Sequence, residues 1–270
     1  MLQILFLAVV QGIAEFLPIS SSGHLVVLGA LTGKLSESPT LEIILHAGTL
    51  GSILVIYWRR ILDLLFSDRR VIGMMVVGTI PAVIVGLTIK KNFEWLMRSP
   101  LLAGCMLVVT GIFLILLGRL RPRDGEYQKM SLISAFGVGC FQAFAILPGI
   151  SRSGSTILGA RLLGMKNEDS VTFSFLLAIP AICGAVVLEL KDFIEAGQPN
   201  SAMPIEPNEL VFSPTVLAVG AVVSFLVGIV ALKWLIGWSR LDRLHWFAWW
   251  CIPAGIATMA CVLGGAVSPW

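Results

Sequence analysis

The most marked shortage in this chain is electrical charge. Only 13% of its 270 residues are charged, whereas 57% are hydrophobic, and the mean hydropathy is +0.91. A soluble domain of this length would need far more charge to cover its surface. The basic residues also form no long run of the kind that binds nucleic acid. We therefore predict an integral membrane protein that lies almost wholly within the lipid bilayer and has no nucleic-acid partner.

Cysteine is also scarce, and its positions follow no pattern. The five cysteines are scattered through apolar stretches with no Cys-X-X-Cys or Cys/His spacing, which argues against a disulfide framework or a zinc site. Buried packing is the expected role of these thiols. They are Cys105, Cys140, Cys183, Cys251 and Cys261.

Long apolar stretches are what the chain has in place of charge. A membrane span needs roughly 18 to 22 such residues, and six stretches qualify: 41–58, 71–89, 100–118, 171–190, 215–236 and 246–266. Two further regions, 2–33 and 131–164, are apolar at both ends but are interrupted by Pro, Gly and Ser. Pro18 and Pro148 should each end a helix, and the serines that follow are good N-caps for a second helix. We predict an all-α protein with six transmembrane helices and two re-entrant helix–break–helix hairpins.

The two predicted hairpins resemble each other at positions 131 apart, since Ser20 aligns with Ser151. The same shift aligns Gln11 with Gln142 and Gly23 with Gly154. Polar, helix-breaking segments that recur in the two halves of a membrane protein usually mark its binding site. The repeat predicts a single membrane domain, 1–270, with a first half, 1–118, and a second half, 119–270.

The charges of the loops predict how the chain crosses the membrane. Six alternating spans place most basic residues on one side, which is the cytoplasmic side by the positive-inside rule. The opposite side has the acidic, proline-rich loop 191–214 and keeps only five basic residues: Lys34, Lys90, Lys91, Arg98 and Lys191. The first hairpin would then enter from outside and the second from the cytoplasm, so the two halves form an inverted repeat. The predicted cytoplasmic basic residues are Arg59, Arg60, Arg69, Arg70, Arg119, Arg121, Arg123, Lys129, Arg161, Lys166, Lys233, Arg240 and Arg243.

Among the strongly polar side chains within the hairpins, four stand out as candidates for chemistry: Gln11, Glu15, His24 and Arg152. A charge at membrane depth costs at least about 2.5–3.5 kcal/mol, so it is retained only where it is paired, hydrated or bound to a ligand. A purely structural interpretation is that Glu15 and Arg152 form a buried pair that holds the hairpins together. That interpretation does not account for the hydroxyls and glycines at both breaks.

A phosphate-binding site accounts for them. If the hairpin tips meet, two helix N-termini point their free N–H groups and positive dipole ends at one place. Gly23 and Gly154 would let the backbone approach a ligand closely. Arg152 carries a planar guanidinium that can bind phosphate oxygens in a bidentate manner.

The first hairpin also carries groups that could react with a phosphate. Ser21 and His24, three residues apart, would share a helix face and could form an activated nucleophile. His24 itself or a water molecule could attack phosphorus instead. Glu15 would orient His24 or, with Gln11 one turn away, hold a divalent cation that neutralises the phosphates. The sequence therefore predicts a phosphoryl-transfer site.

Two motifs resemble the signatures of the undecaprenyl-diphosphate phosphatases, which are also called bacitracin-resistance proteins. They are Gln11-Gly-Ile-Ala-Glu-Phe-Leu-Pro-Ile-Ser-Ser-Ser-Gly-His24 and Leu147-Pro-Gly-Ile-Ser-Arg-Ser-Gly-Ser-Thr156. The resemblance implies hydrolysis of a polyprenyl diphosphate lipid, which recycles the lipid carrier for cell-wall synthesis. It further implies a divalent cation (Mg²⁺ or Ca²⁺), a homodimer, and a bacterial plasma (inner) membrane protein whose active site faces the periplasm or outer surface.

The resemblance also implies roles for individual residues. The implied catalytic residues are Glu15, Ser21, His24 and Arg152. The implied substrate-binding residues are Ser20, Ser22, Gly23, Ser151, Ser153 and Gly154. Glu15 and Gln11 are the implied metal ligands. Some family members have Glu in place of Gln11, so the expectation of two carboxylates at the metal does not carry over to this chain.

A secondary transporter for lipid phosphates is the alternative function, because inverted repeats with broken helices are typical of transporters. Ser21 and His24 favour an enzyme, since transport requires no nucleophile. Two other polar residues are set aside. His46, at the start of a span, could reach the site, but a packed, hydrogen-bonded histidine is the favoured interpretation. We expect Arg161 to extend to the cytoplasmic headgroups.

Overall fold

The computed structural model describes residues 2–32, 39–196 and 213–267, and these are almost entirely helical. Gly33, Lys34 and most of the loop 191–214 lie outside those ranges. The predicted all-α architecture is confirmed. The helices are α1 (Leu2–Ala14), α2 (Ser21–Thr32), α3 (Pro39–Ile56), α4 (Trp58–Phe66), α5 (Arg69–Asn92), α6 (Glu94–Met97), α7 (Pro100–Arg119), α8 (Leu132–Phe144), α9 (Arg152–Leu162), α10 (Asn167–Ala196), α11 (Pro214–Arg240) and α12 (Ala248–Leu263).

Among the described residues, five helical segments are long and apolar enough to cross a membrane unaided: α5, α7, α10, α11 and α12 with the turn before it. The predicted span 41–58 differs, because the helix breaks at Tyr57 and α3 meets α4 at an angle of 71°. Counting that bent pair as one span gives up to six. The protein is therefore a multi-pass membrane protein by the length and composition of its helices.

Both predicted hairpins consist of two short helices separated by a break. The first helices, α1 and α8, end at Ala14 and Phe144. Each of these residues lies four positions before a proline, Pro18 or Pro148, whose ring would clash with the carbonyl group at that position in a continued helix. The prolines therefore determine where each break begins.

Serine hydroxyls determine where each second helix begins. Ser20 Oγ accepts a hydrogen bond from the backbone N–H of Gly23 at 3.2 Å, and Ser151 Oγ accepts one from Gly154 at 3.1 Å. Such caps satisfy N–H groups that would otherwise be left free at a helix start. The predicted serine caps are confirmed at corresponding positions of the two hairpins.

Each hairpin packs against a helix from the other half of the chain. α1 lies against α11 and α8 lies against α5, while α3 contacts α10 and α7 contacts α12. The hairpin helices approach closely: a Cβ on Gly12 would lie 2.9 Å from the carbonyl oxygen of Ser224, and one on Gly139 would lie 2.3 Å from that of Gly78. A duplicated fold would produce such an exchange of partners. The inverted orientation of the halves stays a prediction.

The hydrophobic core surrounds the first hairpin break. Phe16, directly after Glu15, is fully buried, and its ring centroid lies 5.8 Å from that of Phe175 in α10. A Cβ on Gly228 of α11 would lie 2.7 Å from the Phe16 ring, so only glycine leaves room for it. Burial of Phe16 therefore anchors the break beside α10 and α11.

Two predictions about burial are wrong. Cys251 is buried, but Cys140, Cys183 and Cys261 are exposed on the outer surface of the helices. Arg161 does not extend to the headgroups, since it is only 3% exposed. Its guanidinium donates to backbone carbonyl groups, those of Met165 at 3.2 Å and Arg121 at 3.3 Å. Close packing of α9 holds this side chain inside the protein.

Candidate functional site

The two hairpin breaks meet tip to tip. A Cβ added to Gly23 would lie 2.7 Å from the Cα atom of Gly149, and one added to Gly154 would lie 3.3 Å from the Cβ atom of Pro18. These contacts are reciprocal, because the shift that aligns Gly23 with Gly154 also aligns Pro18 with Gly149. The N-termini of α2 and α9 therefore lie at one junction, as the phosphate-site hypothesis requires.

Two spans fix this junction from outside the hairpins. Thr110 of α7 donates to the carbonyl oxygen of Gly149 at 2.7 Å and accepts from the backbone N–H of Ser151 at 3.0 Å. The thiol of Cys251 in α12 donates to the carbonyl oxygen of Pro18 at 3.6 Å. Pro18 and Gly149 are aligned positions of the repeat, so each break is held at the same place.

Glu15 is the centre of the polar cluster at the junction. Its Oε2 accepts hydrogen bonds from Ser21 Oγ at 2.8 Å and from Gln11 Nε2 at 3.1 Å. Its Oε1 accepts from Nη2 of Arg152. The carboxylate side chain is only 6% exposed, so these donors replace water around the charge. Both hairpins thus contribute to one buried network.

The network confirms the ion pair between Glu15 and Arg152. Two polar atoms of the network, however, have no hydrogen-bond partner among the described residues. They are Arg152 Nη1 and Gln11 Oε1, and both are buried. Buried polar atoms are nearly always paired, so a free donor and a free acceptor in one site indicate that a ligand completes it. A phosphate oxygen suits the guanidinium, and a cation or a hydroxyl suits the amide oxygen.

His24 lies in the first turn of α2, but the hydroxyl of Ser21 does not point to it. Ser21 donates to Glu15, whereas His24 Nδ1 lies 2.7 Å from the carbonyl oxygen of Ser20. His24 Nε2 lies 2.8 Å from the indole nitrogen of Trp250 in α12. The predicted Ser21–His24 pair is therefore replaced by two separate pairs, Ser21 with Glu15 and His24 with Trp250.

His46 was expected to be a packed, hydrogen-bonded histidine away from the site. The hydrogen bond is present, because Nδ1 lies 2.9 Å from the carbonyl oxygen of Glu42. However, Nε2 lies 3.8 Å from Oε2 of Glu15, so His46 belongs to the cluster. Local sequence could not decide between these two positions for His46, since α3 reaches the hairpin only through the tertiary fold.

The remaining predicted hydroxyls lie at the two helix starts. Ser20 and Ser22 are paired at 3.4 Å between their hydroxyl oxygens, and Ser151 and Ser153 are paired at 3.2 Å. Ser20 has a positive φ of 70°, a conformation that costs a serine of order 1 kcal/mol or more. The structure therefore places every predicted site residue at or beside the junction, while their roles stay predictions.

The metal prediction fits this cluster in part. The described residues contain no group of three or more His, Cys, Asp or Glu side chains that could hold an ion. Gln11 Oε1 and the Glu15 carboxylate are oxygen ligands of the kind that Mg²⁺ and Ca²⁺ prefer, and Mg²⁺ often takes its other ligands from water and substrate phosphates. The residues present therefore fit a cation that is completed by a phosphate ligand.

Comparison with known proteins shows which family and which relatives this chain resembles in sequence. The family model described as "Bacitracin resistance protein BacA" matches residues 4–257. The undecaprenyl-diphosphatase of Rhodopirellula baltica is 66% identical over 256 residues, which cover 95% of this chain and 96% of that protein. The undecaprenyl-diphosphatase of Protochlamydia amoebophila is 39% identical, covering 94% and 95%. That of Desulfatibacillum aliphaticivorans is 36% identical, covering 96% and 97%.

Proposed function

The chain belongs to the bacitracin resistance protein family, and on that premise we infer that it is an undecaprenyl-diphosphatase. It hydrolyses undecaprenyl diphosphate to undecaprenyl phosphate and inorganic phosphate, which returns the lipid carrier to cell-wall synthesis and gives resistance to bacitracin. One observation carries the assignment of the site. Nη1 of Arg152 is buried without a hydrogen-bond partner in the described part of the chain, and it lies where two helix N-termini meet, beside a hydrogen-bonded Ser21–Glu15 pair.

The second hairpin binds the diphosphate in this proposal. Arg152 already directs Nη2 to Glu15, so Nη1 is the group left for a phosphate oxygen. The N-termini of α2 and α9 add backbone N–H groups and the positive ends of two helix dipoles. The hydroxyls of Ser22 and Ser153 lie at these N-termini and provide further donors. The lipid tail remains in the bilayer beside the half-exposed helix α2.

The first hairpin supplies the reacting groups. The oxygen of Ser21 forms a bond to the terminal phosphorus while the bond from that phosphorus to the bridging oxygen breaks, and undecaprenyl phosphate leaves. The Ser21 proton passes to Glu15 Oε2, to which it is hydrogen-bonded at 2.8 Å. Water then hydrolyses the phosphoserine, which restores Ser21 and releases inorganic phosphate together with the proton held on Glu15. A carboxylate acting as the base for a hydroxyl nucleophile follows general acid–base logic.

A direct attack by water is the alternative chemistry, and trapping distinguishes the two. Acid quenching of the enzyme during turnover, followed by mass spectrometry, is expected to detect phosphate on the peptide that carries Ser21. Ser21→Ala should abolish the adduct, whereas Ser22→Ala, which changes the adjacent hydroxyl, should retain it. Full turnover without any adduct would favour water.

A divalent cation is proposed as the cofactor, with Glu15 and Gln11 as its ligands from the chain. It would neutralise phosphate charge and polarise the phosphorus–oxygen bonds. The free Oε1 atom of Gln11 supports this proposal. Activity should be lost in excess chelator and should return with Mg²⁺ or Ca²⁺.

We also propose the inner membrane as the location and the periplasmic side as the side from which the substrate reaches the site. The distribution of basic loop residues supports this orientation. In proteoliposomes of known orientation, water-soluble diphosphates of short prenyl chain should be hydrolysed only from the side opposite the basic loops. A homodimer is proposed from the family resemblance, and the mass of the detergent-solubilised protein by light scattering tests it.

Release of labelled phosphate tests the function itself. Purified protein in detergent is given undecaprenyl diphosphate with a radiolabelled terminal phosphate. The wild type should release inorganic phosphate, and Arg152→Ala should lower kcat/KM by at least about 10³-fold if it removes the main charge that stabilises the transition state. Arg98→Ala is the matched control, because Arg98 is 75% exposed and forms an ion pair with its near neighbour Glu94. No release by the wild type would refute the proposal.

A further inference from the structure

Both ring nitrogens of His24 are engaged in hydrogen bonds. Nδ1 lies 2.7 Å from the carbonyl oxygen of Ser20, and Nε2 lies 2.8 Å from the indole nitrogen of Trp250. A carbonyl oxygen only accepts and an indole N–H only donates. The two partners therefore fix the neutral tautomer, with the proton on Nδ1 and the lone pair of Nε2 directed at Trp250.

The geometry of the two rings agrees with this assignment. The imidazole and indole planes are within 10° of parallel, and their centroids are 6.0 Å apart. The indole and Nε2 nitrogens are also within hydrogen-bond distance, so the two nearly parallel rings meet at these atoms. The contact is thus a directed hydrogen bond in addition to a contact between two flat rings.

Trp250 is held in place by the packing of α12. Gly255 of α12 and Gly104 of α7 meet so closely that a Cβ on Gly255 would lie 2.5 Å from the Gly104 carbonyl oxygen. The next residue in the chain, Cys251, donates to Pro18 in the hairpin break. Trp250 is 55% exposed on the outside of the helices, where lipid offers its N–H no acceptor. Its bond to His24 therefore satisfies a donor that would otherwise be unpaired.

The position of Trp250 relative to the hairpin is unusual for a lipid-facing residue. Within the described ranges, α2 packs against α7 and α1 but not along α12. The side chains of His24 and Trp250 therefore connect two helices that otherwise have little contact. Both side chains are at least partly exposed, so the contact lies at the outer surface of the described helices, which a polyprenyl chain in the bilayer can reach.

We propose that Trp250 is a positioning residue that occupies Nε2 of His24 until the diphosphate headgroup of the substrate replaces it, with a protonated phosphate oxygen (P–OH) taking over from the indole N–H as the donor to Nε2. In a nucleophile–base arrangement one ring nitrogen is oriented by a fixed acceptor and the other faces the reacting group. The Ser20 carbonyl oxygen is the fixed acceptor, and the indole N–H stands where the reacting group would be. This inference rests on the proposed function only for the identity of the headgroup that displaces the indole.

Carbethoxylation of histidine by diethyl pyrocarbonate tests the contact without reference to activity, because the reagent requires an imidazole nitrogen with a free lone pair. The test compares Trp250→Phe, which keeps an aromatic ring but removes the N–H, with Trp249→Phe. Trp249 is the adjacent tryptophan and is 81% exposed. Labelling of His24 is measured by peptide mass spectrometry. It should rise about fivefold in Trp250→Phe, because the loss of one ordinary hydrogen bond shifts an equilibrium by about that factor.

Labelling of His24 should equal that of the wild type in Trp249→Phe, and His245 serves as an internal standard in every sample. Trp250→Leu should repeat the result if Trp250→Phe cannot be purified. Unchanged labelling of His24 in the Trp250 variants would overturn the proposal.

Steady-state kinetics then test displacement by the substrate. A headgroup that need not displace the indole should bind more tightly, so KM for undecaprenyl diphosphate should fall about fivefold in Trp250→Phe while kcat stays within about twofold. An unchanged or higher KM, together with increased labelling, would contradict displacement. If no protein releases phosphate, the proposed function fails, but the labelling result still decides whether Trp250 covers His24.

Discussion

The two hairpins share one backbone plan but differ in burial. Residues 153–161 of α9 are all buried, whereas residues 24–30 of α2 are all partly exposed. Each hairpin breaks before a proline and restarts at a serine cap, so the difference does not come from the local fold. It comes from the neighbours: both helices pack against α7, but α9 also packs against α8 and α10, whereas α2 has only a smaller contact with α1 among the described helices. The buried hairpin is suited to hold a ligand, and the accessible hairpin is suited to admit one.

The side chains diverge at the positions where this difference has chemical consequences. Glu15 aligns with Ile146, and His24 aligns with Ser155. Ser21 aligns with Arg152, and these two side chains donate to different oxygens of the same carboxylate. One ancestral position therefore supplies the proposed nucleophile in one copy and the phosphate ligand in the other. Conserving the caps and the close glycine contacts in both copies preserves the junction while the chemistry differs.

The largest expected effect comes from separating the ion pair that joins the hairpins. Arg152→Gln leaves the Glu15 carboxylate buried without its main partner, which should lower the free energy of unfolding by about 3–5 kcal/mol. Glu15→Gln should have a similar effect by leaving the guanidinium unpaired. The double variant Glu15→Gln with Arg152→Gln should recover most of that stability, because no unpaired charge remains. Denaturant titration in detergent measures all three.

The control for that series lies at the other end of α9. Arg161→Gln also removes a buried guanidinium, but one that donates to backbone carbonyl groups away from the junction. It should destabilise the protein while phosphate release per folded molecule stays within about twofold of the wild type. Equal losses of turnover in Arg161→Gln and Arg152→Gln would show that the Arg152 effect is one of folding alone.

The next effect concerns the close contact of the tips. In Gly23→Ala the new Cβ would lie 2.7 Å from the Cα atom of Gly149, and backbone atoms cannot yield without moving the hairpin. In Gly154→Ala the nearest atoms lie at 3.3 Å, so a small adjustment suffices. A displacement of about 1 Å can reduce turnover about 10²-fold, and we expect that loss for Gly23→Ala and only a few-fold loss for Gly154→Ala. Equal kcat/KM values for the two variants would contradict the tip-to-tip geometry.

The paired glutamines provide a smaller effect that concerns the cation. Gln11→Glu adds a second carboxylate beside Glu15, so half-maximal activity should require about tenfold less Mg²⁺. Gln142, the aligned residue of the second hairpin, is buried with neither amide atom paired among the described residues. Gln142→Glu should therefore destabilise the protein without changing its Mg²⁺ requirement. Thermal unfolding with Mg²⁺ or chelator gives a second reading that is independent of activity.

The smallest effect concerns the two caps. Ser20 has a φ of 70° and Ser151 a φ of −72°. Glycine adopts the first conformation without cost and loses only a few tenths of a kcal/mol as a cap. Ser20→Gly should therefore stabilise the protein by up to about 1 kcal/mol, whereas Ser151→Gly should destabilise it slightly. The unfolding midpoint should therefore rise in Ser20→Gly and fall in Ser151→Gly. Shifts of the same sign in both variants would contradict the backbone strain assigned to Ser20.

Local sequence was sufficient to predict the hairpins, because proline ends and serine caps a helix within a few residues of its own position. It was also sufficient for the polar residues of the junction, since a charge within an apolar region is conspicuous. It could not identify Thr110, Cys251 or His46, because a Thr, Cys or His in a span usually bonds within its own helix. Only tertiary packing brings these side chains to the hairpins.

Local sequence failed to predict the bend at Tyr57 and the burial of Arg161 for the same reason. Both features depend on contacts that only the tertiary fold creates. No proline or glycine stands at the bend, so the apolar run predicted a continuous helix. Tyr57 is instead buried, with its ring beside that of Phe175. Arg161 ends a short helix near the predicted membrane surface, where a long basic side chain usually extends outward. Of the two carbonyl groups that bind it, that of Met165 is four residues away, but that of Arg121 is 40 residues away and is brought near only by the tertiary fold.

The most direct test of the account is phosphate release from undecaprenyl diphosphate by the double variant Glu15→Gln with Arg152→Gln, measured on protein shown to be folded. This variant keeps the hairpins together without the charged pair. The account predicts a stable protein that releases phosphate at least about 10³-fold more slowly than the wild type. A stable double variant with wild-type turnover would contradict it, because the pair would then hold the fold and take no part in the reaction.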